Sequence, residues 1–153
     1  MERTLVIIKP DAIQRGLIGT IISRFENKGM QVIGCKLMQI TDDISARHYT
    51  ELADKPFYPR IREYMTDGPS IIMVLQGPKA INIVRTVMGS TFGDKAQPGT
   101  IRGDFSNGGF NLVHGSDSPE SASREIALFF SPQEIIDYPM ANQLYLYGND
   151  PSV

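Results

Sequence analysis

The pattern of this sequence predicts an α+β sandwich: a four-stranded sheet with helices on one face and a long glycine-rich loop. Three observations carry that expectation. Apolar runs of strand length stand at residues 5–8, 31–40 and 71–75, with a shorter one at 111–114. Helical spacings of apolar residues fill most intervals between them. Residues 89–110 show neither pattern. A parallel α/β sheet remains the competing layout on pattern alone.

The elements follow in order. Leu5-Val6-Ile7-Ile8 is a buried strand that stops at Lys9-Pro10. Ile18, Ile21, Ile22 and Phe25 fall at i, i+3, i+4, i+7, and Gly29 is a natural helix stop. After the strand at 31–40, Asp42-Asp43 offers capping oxygens to a helix with inner stripe Tyr49, Leu52 and Ala53, ended by Pro56 and Pro59. A helical turn at 61–65 precedes the Gly68-Pro69 break. The strand at 71–75 leads through Pro78 into a helix facing inward with Ala80, Ile81, Val84, Val87 and Met88. Seven of the 14 glycines then lie between Gly89 and Gly115. A structureless loop of 22 residues (89–110) inside a compact domain is uncommon and usually functional or disordered. Ser118-Pro119 supplies an N-cap and first-turn proline for a last helix with stripe Ala122, Ile126 and Phe129.

At 153 residues the chain reads as one domain, 1–153, with 131–153 a C-terminal surface segment. Fifteen Lys and Arg against 17 Asp and Glu argue against binding to duplex DNA by counterion release. The longest apolar runs are five residues (71–75 and 126–130), far below the ~20 of a membrane helix. The apolar stretch near the N-terminus is too short for a signal peptide. One cysteine excludes an internal disulfide, and two histidines leave little for a histidine metal cage. A soluble, cytoplasmic protein is expected.

Neither a Gly-x-x-x-x-Gly-Lys phosphate loop nor a Gly-x-Gly-x-x-Gly fingerprint occurs. His114 is the sharpest single residue. It ends an apolar run and enters the small-residue corner Gly115-Ser116-Asp117-Ser118 in front of a helix, where negative charge is favoured. A satisfied, partly buried histidine is the plain alternative. Glu125, at the edge of that helix's apolar stripe, needs a partner if buried. Bonded to one ring nitrogen of His114, it leaves the other free as a nucleophile; reaching to solvent is its alternative. Arg85 and Arg102 bracket the glycine-rich loop, with Thr91 between them, and two guanidinium forks suit a polyphosphate. Lys9 at a strand end can meet a ligand or water. Phe57, between Pro56 and Tyr58, is either a stacking platform for a base or core. Tyr49 reads as core and His48 as a surface histidine.

Several motifs stand together: Lys9-Pro10-Asp11, Gln14-Arg15-Gly16-Leu17, Arg24-Phe25-Glu26, Pro98-Gly99-Thr100-Ile101-Arg102-Gly103-Asp104-Phe105, and Asn111-x-x-His114-Gly115-Ser116-Asp117-Ser118. With them the chain resembles the nucleoside diphosphate kinase family from about residue 2 to 138. The resemblance implies a ferredoxin-like α+β core with an antiparallel sheet. It implies reversible γ-phosphoryl transfer from ATP and other nucleoside triphosphates to nucleoside or deoxynucleoside diphosphates, by a ping-pong route through a phosphohistidine, with Mg²⁺. By position His114 matches the nucleophile and Glu125 the carboxylate that orients it, with Tyr49 and Ser116 beside them. Arg85, Thr91 and Arg102 match phosphate ligands, Lys9 and Asn111 residues near sugar hydroxyls and phosphates, and Phe57 the stacking ring. Asp117 matches a carboxylate near the metal-bound phosphates, the metal being held mainly by the nucleotide. No specific nucleic acid or membrane partner is implied. A homo-oligomer is, first a hexamer and second a tetramer.

Three departures touch assembly. Gly109-Phe110-Asn111 stands where the family usually reads Gly-Arg-Asn, in a segment one residue shorter; Gly93 replaces a loop proline; and the tail lacks tryptophan and runs on through Tyr147-Gly148-Asn149-Asp150. Two other readings compete. A regulatory nucleotide-sensing module predicts binding without need of His114 or Glu125. An RNA-binding domain is disfavoured by the balanced charge and the lack of strand-clustered aromatics.

Overall fold

In the computed structural model, which describes residues 1–148, the strand β1 (Glu2–Ile8) lies near the middle of the sheet. Lys9-Pro10 does end it, but Pro10 is also the first residue of a short helix, α1 (Pro10–Gln14), where its missing N–H costs nothing. There follow α2 (Ile18–Asn27), β2 (Gln31–Gln39), α3 (Asp42–His48), a 3-10 turn at Thr50–Leu52, α4 (Tyr58–Thr66), β3 (Pro69–Gly77) and α5 (Ala80–Met88). After a 3-10 turn at Gly93–Lys95 come α6 (Ile101–Phe105), β4 (Val113–Gly115), α7 (Pro119–Phe129), a 3-10 turn at Pro132–Glu134 and α8 (Gln143–Tyr147). The strands order β2-β3-β1-β4, and every neighbouring pair is antiparallel. This is the ferredoxin-like arrangement, and it removes the parallel alternative.

One particular of the expected layout is corrected: helices cover both faces of the sheet. Along β1, Val6 and Ile8 enter a core filled by Ile21 and Phe25 of α2 and by Ala80, Val84 and Met88 of α5. Leu5 and Ile7 enter a second core with Met65 of α4 and Phe129 and Phe130 at the end of α7. Side chains alternate across a strand, so an unbroken apolar run is buried only when both faces are covered. All four residues, Leu5 to Ile8, are 0% exposed.

The glycine-rich loop is also more structured than expected. Thr100 caps α6 by accepting from the Gly103 N–H. Arg24 donates to the Gly99 carbonyl at 2.9 Å and to Asp104 at 2.5 Å, and Arg15 donates to the Phe105 carbonyl at 2.6 Å. The arginines of two N-terminal motifs are therefore straps that hold the loop. A Cβ on Gly93 would stand 2.3 Å from the Ser106 carbonyl oxygen, and the Gly93 N–H donates to Gly108 at 3.3 Å. Proline cannot do the second and would clash in the first, which accounts for glycine here.

The stretch after α7 runs beside β2. The Ile136 N–H donates to the Ile33 carbonyl at 2.8 Å, Gln31 to the Tyr138 carbonyl at 2.5 Å, and the Tyr147 hydroxyl to the Gly29 carbonyl. The expected continuation at Asn149-Asp150 lies outside the described residues. Among the described residues no helix is long and apolar enough to cross a membrane.

Candidate active site

β4 is only three residues long, and His114, at its centre, pairs with Ile7 of β1. The chain then turns at Gly115 and Ser116. Ser118 caps α7 in a reciprocal capping box with Ser121, and Pro119 opens the helix, as the sequence predicts. Glu125 lies two turns along α7, buried on its inner side. It meets His114 there: Nε2 is 3.2 Å from Oε1 and 3.1 Å from Oε2. Ser116, fully buried, donates its hydroxyl to Glu125 Oε2 at 2.6 Å and accepts from the Leu5 N–H at 3.1 Å. Burial works to raise the Glu125 carboxyl, but the hydrogen bond and charge of His114, with help from Ser116 and His48, hold it below the usual carboxylate range. Glu125 is thus an anion bonded to Nε2, and Nδ1 of His114 has no protein partner among the described residues.

A cationic wall faces this pair. Lys9 donates to Asn111 Oδ1 at 2.7 Å, and Asn111 donates to the Thr91 carbonyl at 2.9 Å. Arg102, nearly buried, donates to the backbone carbonyls of Gly89 (2.9 Å), Val113 (2.7 Å) and Asn111 (3.1 Å), so it clamps the two ends of the loop. Arg85 reaches toward the Gly115 carbonyl at 3.5 Å. Burial, reinforced by Arg102, pulls the Lys9 amine down to about 7. Burial and Arg85 bring Arg102 down to about 10. Both are the signature of positive charge gathered before an anion arrives.

Asp11 of the Lys-Pro-Asp motif completes the wall. Its carboxylate accepts the Tyr64 hydroxyl at 2.6 Å and the Leu112 N–H at 3.2 Å. Leu112 sits at φ +68°, a left-handed conformation uncommon for a branched residue. The Lys9 N–H donates to its carbonyl at 2.9 Å. This strained link places Asn111 against Lys9 on one side and starts β4 on the other.

The pair and the cations facing it line one cavity of about 900 Å³, with Asp11, Leu112 and Ser116 behind its surface. Of the residues expected at a site, Lys9, Tyr49, Arg85, Thr91, Arg102, Asn111, His114, Asp117 and Glu125 all stand in its wall, and Ser116 lies directly behind Glu125. Phe57 does not line it. It is half-exposed at the N-terminus of α4, one turn before Ile61, which does. Tyr49 is the C-cap of α3 and packs against the second core, whereas Leu52 and Ala53, expected on the same stripe, lie beyond the helix; burial raises the Tyr49 hydroxyl well above the ordinary range. His48 is a correction: it is buried, with its ring 4.7 Å from that of His114. Ile44, His48 and Leu52 recur at i, i+4, i+8, the spacing that signals this inward face. Glu51 and Arg124, ion-paired at 3.6 Å, and Tyr64 also line the cavity and were not anticipated.

For a hard cation the wall offers scattered oxygens rather than a cage. Asp117 accepts from Ser121 through Oδ1 at 2.7 Å, and its carboxylate lies on the cavity side. His48, His114 and Glu125 bring ligand atoms within 4.8 Å of one another, but a pair of imidazoles is unsuited to Mg²⁺.

A family model described as nucleoside diphosphate kinase matches residues 2–135. The nucleoside diphosphate kinase of Thermoplasma acidophilum is 52% identical over 144 residues, 94% of this chain and 97% of that protein. That of Parabacteroides distasonis is 50% identical over 151 residues, 98% of this chain and 99% of that one. Among solved structures, a halophilic nucleoside diphosphate kinase from Halobacterium salinarum in complex with CDP superposes with a TM-score of 0.93 at 45% identity, covering 95% of this chain and 98% of that chain. A nucleoside diphosphate kinase family protein from Babesia bovis gives 0.93 at 43%, covering 96% and 100%. The reaction of the family is reversible γ-phosphoryl transfer between nucleoside tri- and diphosphates through a phosphohistidine. A histidine held by a buried carboxylate beneath a cationic wall is the chemistry that reaction needs, and this chain belongs to the nucleoside diphosphate kinase family.

Proposed function

We propose that His114 is the residue that carries the phosphoryl group. The observation behind this is the chain Ser116–Glu125–His114, which occupies Nε2 and leaves Nδ1 as the nucleophile. The Nδ1 lone pair attacks the γ-phosphorus of ATP; the bond from phosphorus to the β–γ bridging oxygen breaks, and ADP leaves with that oxygen. Positive charge grows on the imidazole as it attacks, and Glu125 stabilises it through the Nε2–H bond. In the second half, a terminal phosphate oxygen of an incoming nucleoside or deoxynucleoside diphosphate attacks the same phosphorus. The P–N bond breaks and its electron pair returns to Nδ1.

Arg85, Arg102 and Thr91 bind the phosphates, while Lys9 and Asn111 reach the sugar hydroxyls and phosphates. Phe57, half-exposed at the start of α4, is the ring that stacks on the base. Tyr49 and Ser116 support the histidine and its carboxylate. A Mg²⁺ ion carried by the phosphates supplies charge neutralisation, and the position of Asp117 on the wall suits a water-mediated contact with it. The protein works as a homo-oligomer, a hexamer before a tetramer, in the cytoplasm.

The test is incubation with γ-labelled ATP. Acid-labile, base-stable label is expected on the intact protein, transferable to any nucleoside diphosphate, and absent from a folded His114→Ala variant. Label of equal yield on that variant overturns the assignment.

A further inference from the structure

One buried imidazole in the cavity wall takes no part in the reaction above. His48 closes α3, its side chain is 2% exposed, and neither ring nitrogen has a hydrogen-bond partner among the described residues. Rings box it in: Tyr49 at 4.5 Å, His114 at 4.7 Å and Phe129 at 5.5 Å between centroids, all edge-on. A phenyl ring would fill this box without burying two polar nitrogens, so packing alone does not account for a histidine.

Glu125 supplies a reason. Its Oε2 is anchored by the Ser116 hydroxyl at 2.6 Å. Its Oε1 points the other way, with His48 Nδ1 at 3.9 Å. That separation is too long for a direct hydrogen bond, and a small rotation of the carboxylate would close it. Each carboxylate oxygen that faces His114 thus has a second neighbour.

We propose that His48 is a positioning residue for phosphoryl transfer: its imidazole fixes Oε1 of Glu125 and the plane of the His114 ring, keeping Nδ1 of His114 aimed into the cavity. The edge-on contact at 82° blocks rotation of the His114 ring toward α3. Neutrality matters as much as shape. A second cation here would compete with His114 for the single negative charge of Glu125. Burial, with His114 next, and with Lys9 and Arg124 adding to both, brings His48 down to about 3 against the pull of Glu125. It stays neutral while His114 gains and loses charge.

The proposal rests on His114 being the nucleophile, and the labelling experiment above decides that point by itself. The further test compares His48→Phe and His48→Gln. Single-turnover phosphorylation by ATP is measured across ATP concentrations, together with ¹⁵N NMR of the His114 ring nitrogens. His48→Phe is expected to slow phosphorylation at saturating ATP by roughly tenfold, an effect of the size of one modest hydrogen bond, with the half-saturating ATP concentration unchanged. Its His114 spectrum should change from a single Nε2–H tautomer to a mixture. His48→Gln, which returns an amide near Glu125, should recover most of the rate and the single tautomer. A folded His48→Phe protein with wild-type rate and tautomer overturns the proposal. So does an equal loss in both variants with the tautomer unchanged, which would make His48 a packing residue. If His48→Phe does not fold, His48→Leu takes its place in the same comparison.

Discussion

Lys9 and Glu125 show what burial does to a single charge. Lys9 is a base brought from 10.5 to about 7. Between those values the unfolded chain binds more protons than the folded one, so stability from this group rises as pH climbs through the window and its full penalty applies below pH 7. An incoming polyphosphate reverses the balance, because its charge restores the ammonium form. At pH 8 nucleotide binding should therefore take up a proton, seen as a dependence of the calorimetric heat on the ionisation enthalpy of the buffer. The dependence should vanish in Lys9→Met; if it persists there, the proton goes elsewhere. Glu125 works in the opposite sense, as an anion kept charged by His114 and Ser116. Glu125→Gln retains an acceptor but removes the charge. Charge-assisted bonds contribute about 1.5–3 kcal/mol, so single-turnover phosphorylation should slow by about 10–150-fold. An unchanged rate would remove Glu125 from the reaction.

At the scale of elements, the loop between α5 and β4 is the part that local pattern describes least well. Its short helix α6 packs Ile101 and Phe105, one turn apart, against the first core, and Arg15 and Arg24, far away in the sequence, donate to carbonyls at its two ends. Helices of this length gain their stability from such contacts, not from propensity. Gly93 tests the point. Gly93→Pro removes the N–H bonded to Gly108 and drives a Cβ against the Ser106 carbonyl. A loss of about 2–3 kcal/mol is expected from overpacking and the lost bond together, read as a lower urea midpoint at unchanged slope. Equal stability would mean that the loop has another packing open to it. α7 is the opposite case: cap, first-turn proline and inner stripe are all local, and Ser118, Pro119, Ala122 and Phe129 stand where the spacing puts them.

The whole molecule displays large apolar side chains on its surface, among them Leu37 on β2, Phe110 in the loop and Ile136 beside β2, each more than 60% exposed. Apolar residues exposed singly are ordinary on a protein surface, so the homo-oligomer proposed above is decided by its mass. Sedimentation velocity at micromolar concentration should give the mass of six chains, with four as the alternative. A mass of one chain would overturn the proposed assembly.

Local pattern in the sequence determined the strands at 5–8 and 71–75, the inner faces of α2, α5 and α7 and the capping of α7, and it singled out His114, Glu125, Arg85 and Arg102, which the fold gathers in one cavity. These signals are periodic or depend on neighbours a few residues away, and such interactions are written in adjacent residues. Tertiary structure alone decided three things. It put helices on both faces of the sheet, because an unbroken apolar strand does not say what covers each side. It made clamps of Arg15, Arg24 and Arg102, since their acceptors are backbone carbonyls that carry no sequence identity. And it buried His48 against His114, 66 residues further along, with its Nδ1 3.9 Å from the carboxylate that His114 bonds, because α3 and α7 pack against the same core.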